Sequence, residues 1–438
     1  MKSSRYNLFF EDDNKKLAFN AMTCALAEID GDVEAIFNSL PDIKIEAADE
    51  KQKKLIDDMK KGGYLIEDDF DELKFLEFRS YQNKFGTSGI GFTLAPTLAC
   101  NFACPYCYEN AKAGLMSEKV VRAILDKVDE VAAKKEPVSI TWYGGEPLLA
   151  KDLIFRMSKQ MIETCSRHGS SYKAYMISNG YLLTEEIVEK MKEAKITGVQ
   201  ITVDGPPDIH NMRRKLKNSS SPTFEKIIDN IKLLRKHDIS VGIRINIDKT
   251  NVERLEEVLD IFIEHGLKDC NVNLGHVKAY TESCASICSS CLSTKEYADE
   301  SLKYQELLYK KGFESVFYPY YPGVKANYCC ADSITSYVID PEGYMYKCWN
   351  DIGRQEFSVG NILKEVEGTN QMMMNHINYL LWSPFKHEKC RECPVLPLCM
   401  GGCPYNGIKF LHSPECEKWK YNLIDVLKRT YRQRVESK

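Results

Sequence analysis

From about residue 90 to 275 the sequence alternates short apolar runs with longer amphipathic stretches, and nothing else in the chain limits its fold as much. The candidate strands are Gly91–Leu94, Val138–Trp142, Lys173–Ser178, Gly198–Val203, Ser240–Ile245 and Asp269–Leu274. Between them the period is helical. Val120, Ile124 and Val128 recur at four-residue spacing behind Ser117, a predicted N-cap, and Thr184 and Asn251 are predicted caps further on. Six βα units in succession mean a parallel sheet, since each helix carries the chain back to the start of the next strand. The predicted fold is α/β, a partial (β/α)6 TIM-like barrel. In such barrels the chemistry lies at the carboxyl ends of the strands.

The polar motifs fall at those ends. Cys100-Asn-Phe-Ala-Cys104-Pro-Tyr-Cys107 follows the first strand and Gly144-Gly145-Glu146-Pro147 the second. Ser178-Asn179-Gly180, Asp204-Gly205 and Arg244-Ile-Asn246 follow or end the next three. A Cys-x3-Cys-x2-Cys loop offers three thiolates, where a closed zinc site or cluster takes four. An iron–sulfur cluster held by three keeps one iron free for another ligand. On spacing alone, a zinc knuckle with its fourth ligand elsewhere stays open.

The 438-residue chain holds 17 cysteines, and its start lacks the apolar core of an export signal. No apolar run is long enough to span a bilayer, so a cytoplasmic protein without a disulfide framework is expected. The formal net charge of −4 gives no reason to expect nucleic acid or a membrane as partner. Cys24, Cys165 and Cys270 stand alone and read as small buried residues. The other fourteen form four groups with ligand-like spacing, at 100–107, 284–291, 329–348 and 390–416.

Residues 1–88 carry no ligand group. Tyr6–Phe10 and Lys16–Asn20 flank the polar Glu11–Asn14 as a hairpin, helices are expected near Ala25–Leu40 and at Glu50–Lys61, and Tyr64–Ile66 reads as a returning strand. This order predicts a small winged-helix-like α+β module. The barrel is expected over 89–280, a cysteine-rich domain organised around metal over 281–416, and a C-terminal helix over 417–438.

The cysteine loop, with Tyr106 before its last cysteine, resembles the signature of radical S-adenosylmethionine (SAM) enzymes, and Gly144–Pro147 resembles their Gly-Gly-Glu-Pro motif. The resemblance implies a four-iron cluster on Cys100, Cys104 and Cys107 whose free iron binds SAM and passes an electron to its sulfonium. Gly144 and Gly145 would let backbone approach the ligand, and Glu146 would pair with its ammonium. Thr202-Val-Asp204-Gly205-Pro206, followed by His210-Asn-Met-Arg213-Arg214, resembles a further family segment. By that likeness Thr202 and Arg214 contact the methionyl carboxylate, with Arg213 the alternative arginine. Ser178, Asn179, Asp204, Arg244 and Asn246 are further cofactor candidates, and His210 is taken as structural.

The last third resembles the seven-cysteine SPASM domain, a holder of two auxiliary four-iron clusters, which makes three clusters in all. One would take Cys390, Cys393, Cys399 and Cys416. The other would take Cys329, Cys348 and Cys403 with an upstream cysteine, for which Cys291 is the candidate. Cys284, Cys288, Cys330 and a substrate thiol remain alternatives. A zinc ribbon is the competing reading of Cys390–Cys403.

SPASM enzymes mostly modify peptides and proteins. In the anaerobic sulfatase-maturating branch an aspartate follows the Gly-x4-Cys cysteine as base; here Trp349 follows Cys348, with Asp351 nearby. The branch that matures ribosomal precursor peptides by thioether or carbon–carbon crosslinks fits better, with residues 6–70 resembling its leader-gripping element. The resemblance implies a leader-bearing precursor peptide and a reducing donor such as flavodoxin or ferredoxin as partners.

Overall fold

The first forty residues form strands before any helix. β1 (Lys2–Ser3) is followed by β2 (Asn7–Asp12), β3 (Lys15–Asn20) and β4 (Ala25–Ile29), the last three an antiparallel sheet in the order β2-β3-β4. The β2–β3 hairpin closes through Asp13 and Asn14 at φ 45° and 61°, the left-handed pair that a two-residue turn requires. The helix expected over residues 25–40 splits in two. Residues 25–29 pair with β3, and only α1 (Gly31–Asn38) is helical. A five-residue stretch gains little from helical propensity, so the ladder to β3 decides its state.

The structure, a computed structural model, describes residues 1–40, 49–109, 112–313, 321–363 and 365–436. α2 (Glu50–Lys61), β5 (Leu65–Ile66) and α3 (Glu72–Phe85) follow, and β5 pairs antiparallel with β1. Ala18, Ile36, Ile56, Met59, Tyr64 and Leu65 make the core beneath them. Residues 1–85 form one compact unit together with 320–329 and 382–438. Its C-terminal helix, Trp419–Glu436, holds Arg432 against Asp12, whose carboxyl stays below its ordinary range through that bond. Among the described residues no helix is long and apolar enough to cross a membrane.

Residues 86–319 and 330–381 form the second unit. Its parallel strands are β6 (Ile90–Leu94), β7 (Val138–Trp142), β8 (Tyr172–Ser178), β9 (Ile196–Thr202), β10 (Ser240–Ile247) and β11 (Asn271–His276). Each lies within two residues of its expected bounds. α4 (Glu118–Ala132), α5 (Lys151–His168), α6 (Glu185–Glu193), α7 (Pro207–Arg213), α8 (Phe224–Lys236) and α9 (Leu255–Glu264) alternate with them. The sheet runs β11-β10-β9-β8-β7-β6 and then continues into strands that the periodicity did not reveal. β12 (Ser336–Ile339) pairs parallel with β6, and β13 (Tyr344–Tyr346) and β14 (Gly360–Asn361) extend it antiparallel. A parallel α/β barrel that stays open is the expected fold class.

The helices face the sheet as their spacing requires. α4 buries Val120, Val121, Ile124, Val128 and Val131, each contributing about 1.5–3 kcal/mol. Ser117 and Thr184 cap α4 and α6 by accepting from the N–H groups of Val120 (3.4 Å) and Ile187 (3.3 Å). Asn251 does not cap. Its amide donates to the carbonyls of Asp204 (2.7 Å) and Asn246 (2.9 Å), tying two strand ends together, and the helix begins later at Leu255.

Candidate functional site

Two glycines set the first wall of the site. Gly144, just beyond β7, sits at φ 112°, where a Cβ would collide with the Thr97 carbonyl; one on Gly145 would collide with that of Ala99. Only glycine fits both positions. The N–H groups of Gly145 and Glu146 donate to the carbonyls of Thr97 (3.3 Å) and Ala99 (2.9 Å). The Gly-Gly-Glu segment is thus bonded to the backbone that leads into Cys100. On the far side the loop is clamped by Ala103 N–H to Lys215 and Lys217 N–H to Asn101, both 2.8 Å.

A cavity of about 370 Å³ opens at the carboxyl ends of the strands. Cys100, Cys104, Cys107, Tyr106, Gly144 and Gly145 line one side of it; Ser178, Asn179, Thr202, Arg214, Arg244 and Asn246 line another. Strand parity explains the last pair. On β10, Ile243, Ile245 and Ile247 point into the core, so Arg244 and Asn246 share the opposite face. Arg244 Nε donates to Asn246 Oδ1 at 2.8 Å.

Two expected ligand residues are not on that lining. Glu146 is fully buried, and its carboxylate accepts from Leu148 N–H (3.0 Å), Ser178 Oγ (2.9 Å) and Asn179 N–H (2.7 Å). Burial raises its pKa against those bonds. It joins the ends of β7 and β8, where an ion pair with a ligand ammonium was expected. Asp204 is likewise buried; it accepts from the Tyr106 hydroxyl and from Asn246 N–H (3.1 Å).

The adjacent arginines separate cleanly. Arg213 turns away from the cavity to Asp248 (2.8 Å) and lies 3.6 Å from Asp204. Arg214 lines the cavity, donates to the Tyr106 hydroxyl (2.7 Å) and reaches Cys104 Sγ at 3.7 Å. His210 is buried, with Nδ1 accepting from Asp204 N–H at 3.4 Å.

A third wall escaped the motif reading. Glu109 lines the cavity with Tyr108, Tyr143, Trp349 and Asn350. The two tyrosine hydroxyls share a hydrogen bond, and the Tyr143 ring lies 4.8 Å from that of Trp349. Burial pushes the Glu109 carboxyl up to about 7, against a hydrogen bond from Tyr143. The only sequence signal is adjacency, Glu109 two residues past Cys107 and Tyr143 just before the glycine pair. Asp351 is absent from this wall, being fully buried with Oδ2 accepting from Tyr379 (2.8 Å).

The donor set suits an iron–sulfur cluster with SAM. Three sulfurs face one cavity, and burial pushes the thiols of Cys100 and Cys107 up to about 11 and about 12. Loading must therefore displace protons from these cysteines, as thiolate ligation requires. The Arg214 guanidinium beside Cys104 supplies positive charge there. In the first unit, Cys390, Cys393, Cys399 and Cys416 line a second cavity; Cys403 does not. Cys329 and Cys403 belong to the first unit, Cys291 and Cys348 to the second. Among the described residues no three His, Cys, Asp or Glu side chains stand at the spacing of ligands to a single ion.

Residues 94–262 match the model of the radical SAM superfamily. The serine-type anaerobic sulfatase-maturating enzyme of Bacteroides thetaiotaomicron is 24% identical over 339 residues, 70% of this chain and 80% of that protein. The cysteine-type enzyme of Clostridium perfringens is 26% identical over 337 residues, 69% and 85% of the two chains. Among solved structures, anSMEcpe with bound AdoMet and Cp18Cys peptide is similar at TM-score 0.61 and 19% identity, over 78% of this chain and 99% of that one. Streptococcus suis SuiB bound to precursor peptide SuiA is similar at 0.53 and 16%, over 95% and 98%. These structural likenesses are likenesses of fold.

Proposed function

We propose that this chain, a radical SAM superfamily member, is a peptide maturase that installs cysteine thioether crosslinks in a ribosomally made precursor. A cluster on Cys100, Cys104 and Cys107, with SAM, supplies a carbon radical able to remove hydrogen from an unactivated C–H bond. Arg214 and Thr202 hold the methionyl carboxylate, for which a guanidinium fork is well suited. Glu146 and Asp204 act one step back, fixing the strand ends that carry Ser178, Asn179 and Tyr106. Cys390, Cys393, Cys399 and Cys416, which line one cavity, hold one auxiliary cluster.

Peptide as substrate is supported by the relatives, which include sulfatase-maturating enzymes and a neighbour bound to its precursor peptide. The observation that carries the crosslinking reading is the wall at Trp349. Where the sulfatase-maturating resemblance calls for an aspartate after the cysteine, an indole faces the cavity and Asp351 is spent on Tyr379. Formylglycine formation is the second reading, favoured by the curated relatives. The β2–β3–β4 sheet is the leader site: its edge strand β2 offers backbone for pairing beside a groove lined by Phe9, Phe10, Leu17, Ile29 and Phe37. Tethering the leader raises the core peptide to an effective concentration of roughly millimolar. A small reduced carrier such as flavodoxin or ferredoxin supplies electrons.

Anaerobic co-expression with a short cysteine-bearing precursor peptide, set beside a sulfatase peptide, tests this. The product should lack a pair of hydrogens and a free thiol for each link. A sulfatase peptide carrying a new aldehyde, with the cysteine peptide unchanged, would overturn it.

A further inference from the structure

Cys284, Cys288 and Cys291 line neither cavity described above, although their spacing repeats that of Cys100, Cys104 and Cys107. We propose that these three cysteines form a cluster site of their own, a three-thiolate seat for an additional [4Fe–4S] cluster next to the SAM cavity. This goes beyond the peptide-maturase reading, under which one of them would be lent to an auxiliary cluster.

The backbone carries the argument. The N–H of Cys291 donates to the Cys288 carbonyl at 3.3 Å. The same bond closes Cys104–Cys107 at 3.2 Å and Cys390–Cys393 at 3.1 Å. Each of those two turns presents its sulfurs to a cavity shared with further cysteines. The leading cysteines agree as well. Cys100 Sγ accepts from Phe102 N–H at 3.4 Å; Cys284 Sγ accepts from Thr281 N–H at 3.4 Å and donates to the Thr281 carbonyl at 3.3 Å.

Among the described residues these three side chains do not stand as ligands to one metal ion. Cys284 lies at a kink in the short helical segment Glu282–Ser290, one turn before Cys288, and Cys291 ends it. Thiolates tetrahedral on one zinc at about 2.3 Å each must close to roughly 3.8 Å. A cubane sets each thiolate on a different iron and accepts a wider spacing.

The segment is also held in place. Lys249 N–H donates to the Ser290 carbonyl (2.9 Å), and the His276 imidazole bonds the Leu292 carbonyl (2.7 Å). Thr281 Oγ1 donates to the carbonyl of Tyr108, the residue after Cys107, at 3.3 Å. Val277, Lys278 and Tyr280, just upstream, line the SAM cavity. Among the described residues no Gly-Gly-Glu segment abuts this loop as Gly144–Glu146 abuts Cys100, so the seat holds a cluster and not a second SAM.

The test is iron and zinc content with Mössbauer spectroscopy on the anaerobically reconstituted full-length protein. Cys288→Ser/Cys291→Ser should carry about four fewer irons than the parent, one cubane. Combined with Cys348→Ala, the losses should add. An iron content equal to the parent's would overturn the proposal. So would losses that coincide with those of Cys348→Ala, which mean one shared cluster, or the loss of one zinc. Should the double variant misfold, Cys288→Ser alone, at an exposed position, gives the same readout.

Discussion

Nη1 of Arg214 donates to the Tyr106 hydroxyl at 2.7 Å, and that hydroxyl in turn donates to Asp204. One phenol thus connects a guanidinium on the cavity wall to a carboxylate buried behind it. Tyr106→Phe leaves both charged groups short of a partner, at a cost of about 1–3 kcal/mol. Urea unfolding of the metal-free chain should show that loss. Calorimetry on the loaded protein should show SAM binding weakened about tenfold, the equivalent of 1.4 kcal/mol.

Arg213 and Arg214 are neighbours with different duties, and substitution should separate them. Arg214→Lys keeps the charge but loses the fork, so SAM affinity should fall at least about tenfold with little change in stability. Arg213→Ala strands Asp248 in the interior and should cost about 3–5 kcal/mol. Equal effects of the two on SAM binding at matched stability would contradict the assignment.

Gly145→Ala tests the contact between the glycine pair and the cysteine loop. The new methyl meets the carbonyl of Ala99, which is backbone and cannot rotate aside. Overpacking of this kind costs about 1–3 kcal/mol. Here it should also displace Cys100, so iron at the first site, read by Mössbauer spectroscopy, should fall while iron at Cys390–Cys416 is retained.

His210 sets a pH dependence. Burial, and then the charges of Arg214 and Arg213, hold its pKa well below the ordinary value of 6.5. The folded chain keeps it neutral while the unfolded chain protonates it. Stability from this group is therefore full above pH 6.5 and lost as pH falls below it, at up to about 1.4 kcal/mol per pH unit. Urea unfolding of His210→Asn at pH 7.5 and 5.5 should show a smaller difference than the parent by about 1 kcal/mol.

What the sequence revealed follows from which signals are local. β6–β11 were legible to within two residues because each apolar run is bounded by an amphipathic helix with its own period. Ser117 and Thr184 were legible as caps because capping is decided within three residues. β4 was not, since Ala25–Ile29 becomes a strand only by pairing with β3. β12–β14 were hidden for the same reason, being two to four residues long and dependent on pairing, β12 with β6, β13 with β12 and β14 with β13. At the site, the cysteines and glycines announced themselves by spacing. The inward commitment of Glu146 depends on Ser178 and Asn179 from another strand, and the facing of Glu109 and Trp349 on side chains far apart in the chain.

The central claim is that radical chemistry initiated at Cys100–Cys107 is directed at a peptide. A precursor peptide deuterated at the carbon to be linked, incubated anaerobically with loaded protein, SAM and a reductant, tests it most directly. The account predicts deuterium in the 5′-deoxyadenosine formed, together with a peptide short of a pair of hydrogens for each link. Unlabelled 5′-deoxyadenosine accumulating beside an unchanged peptide would contradict it.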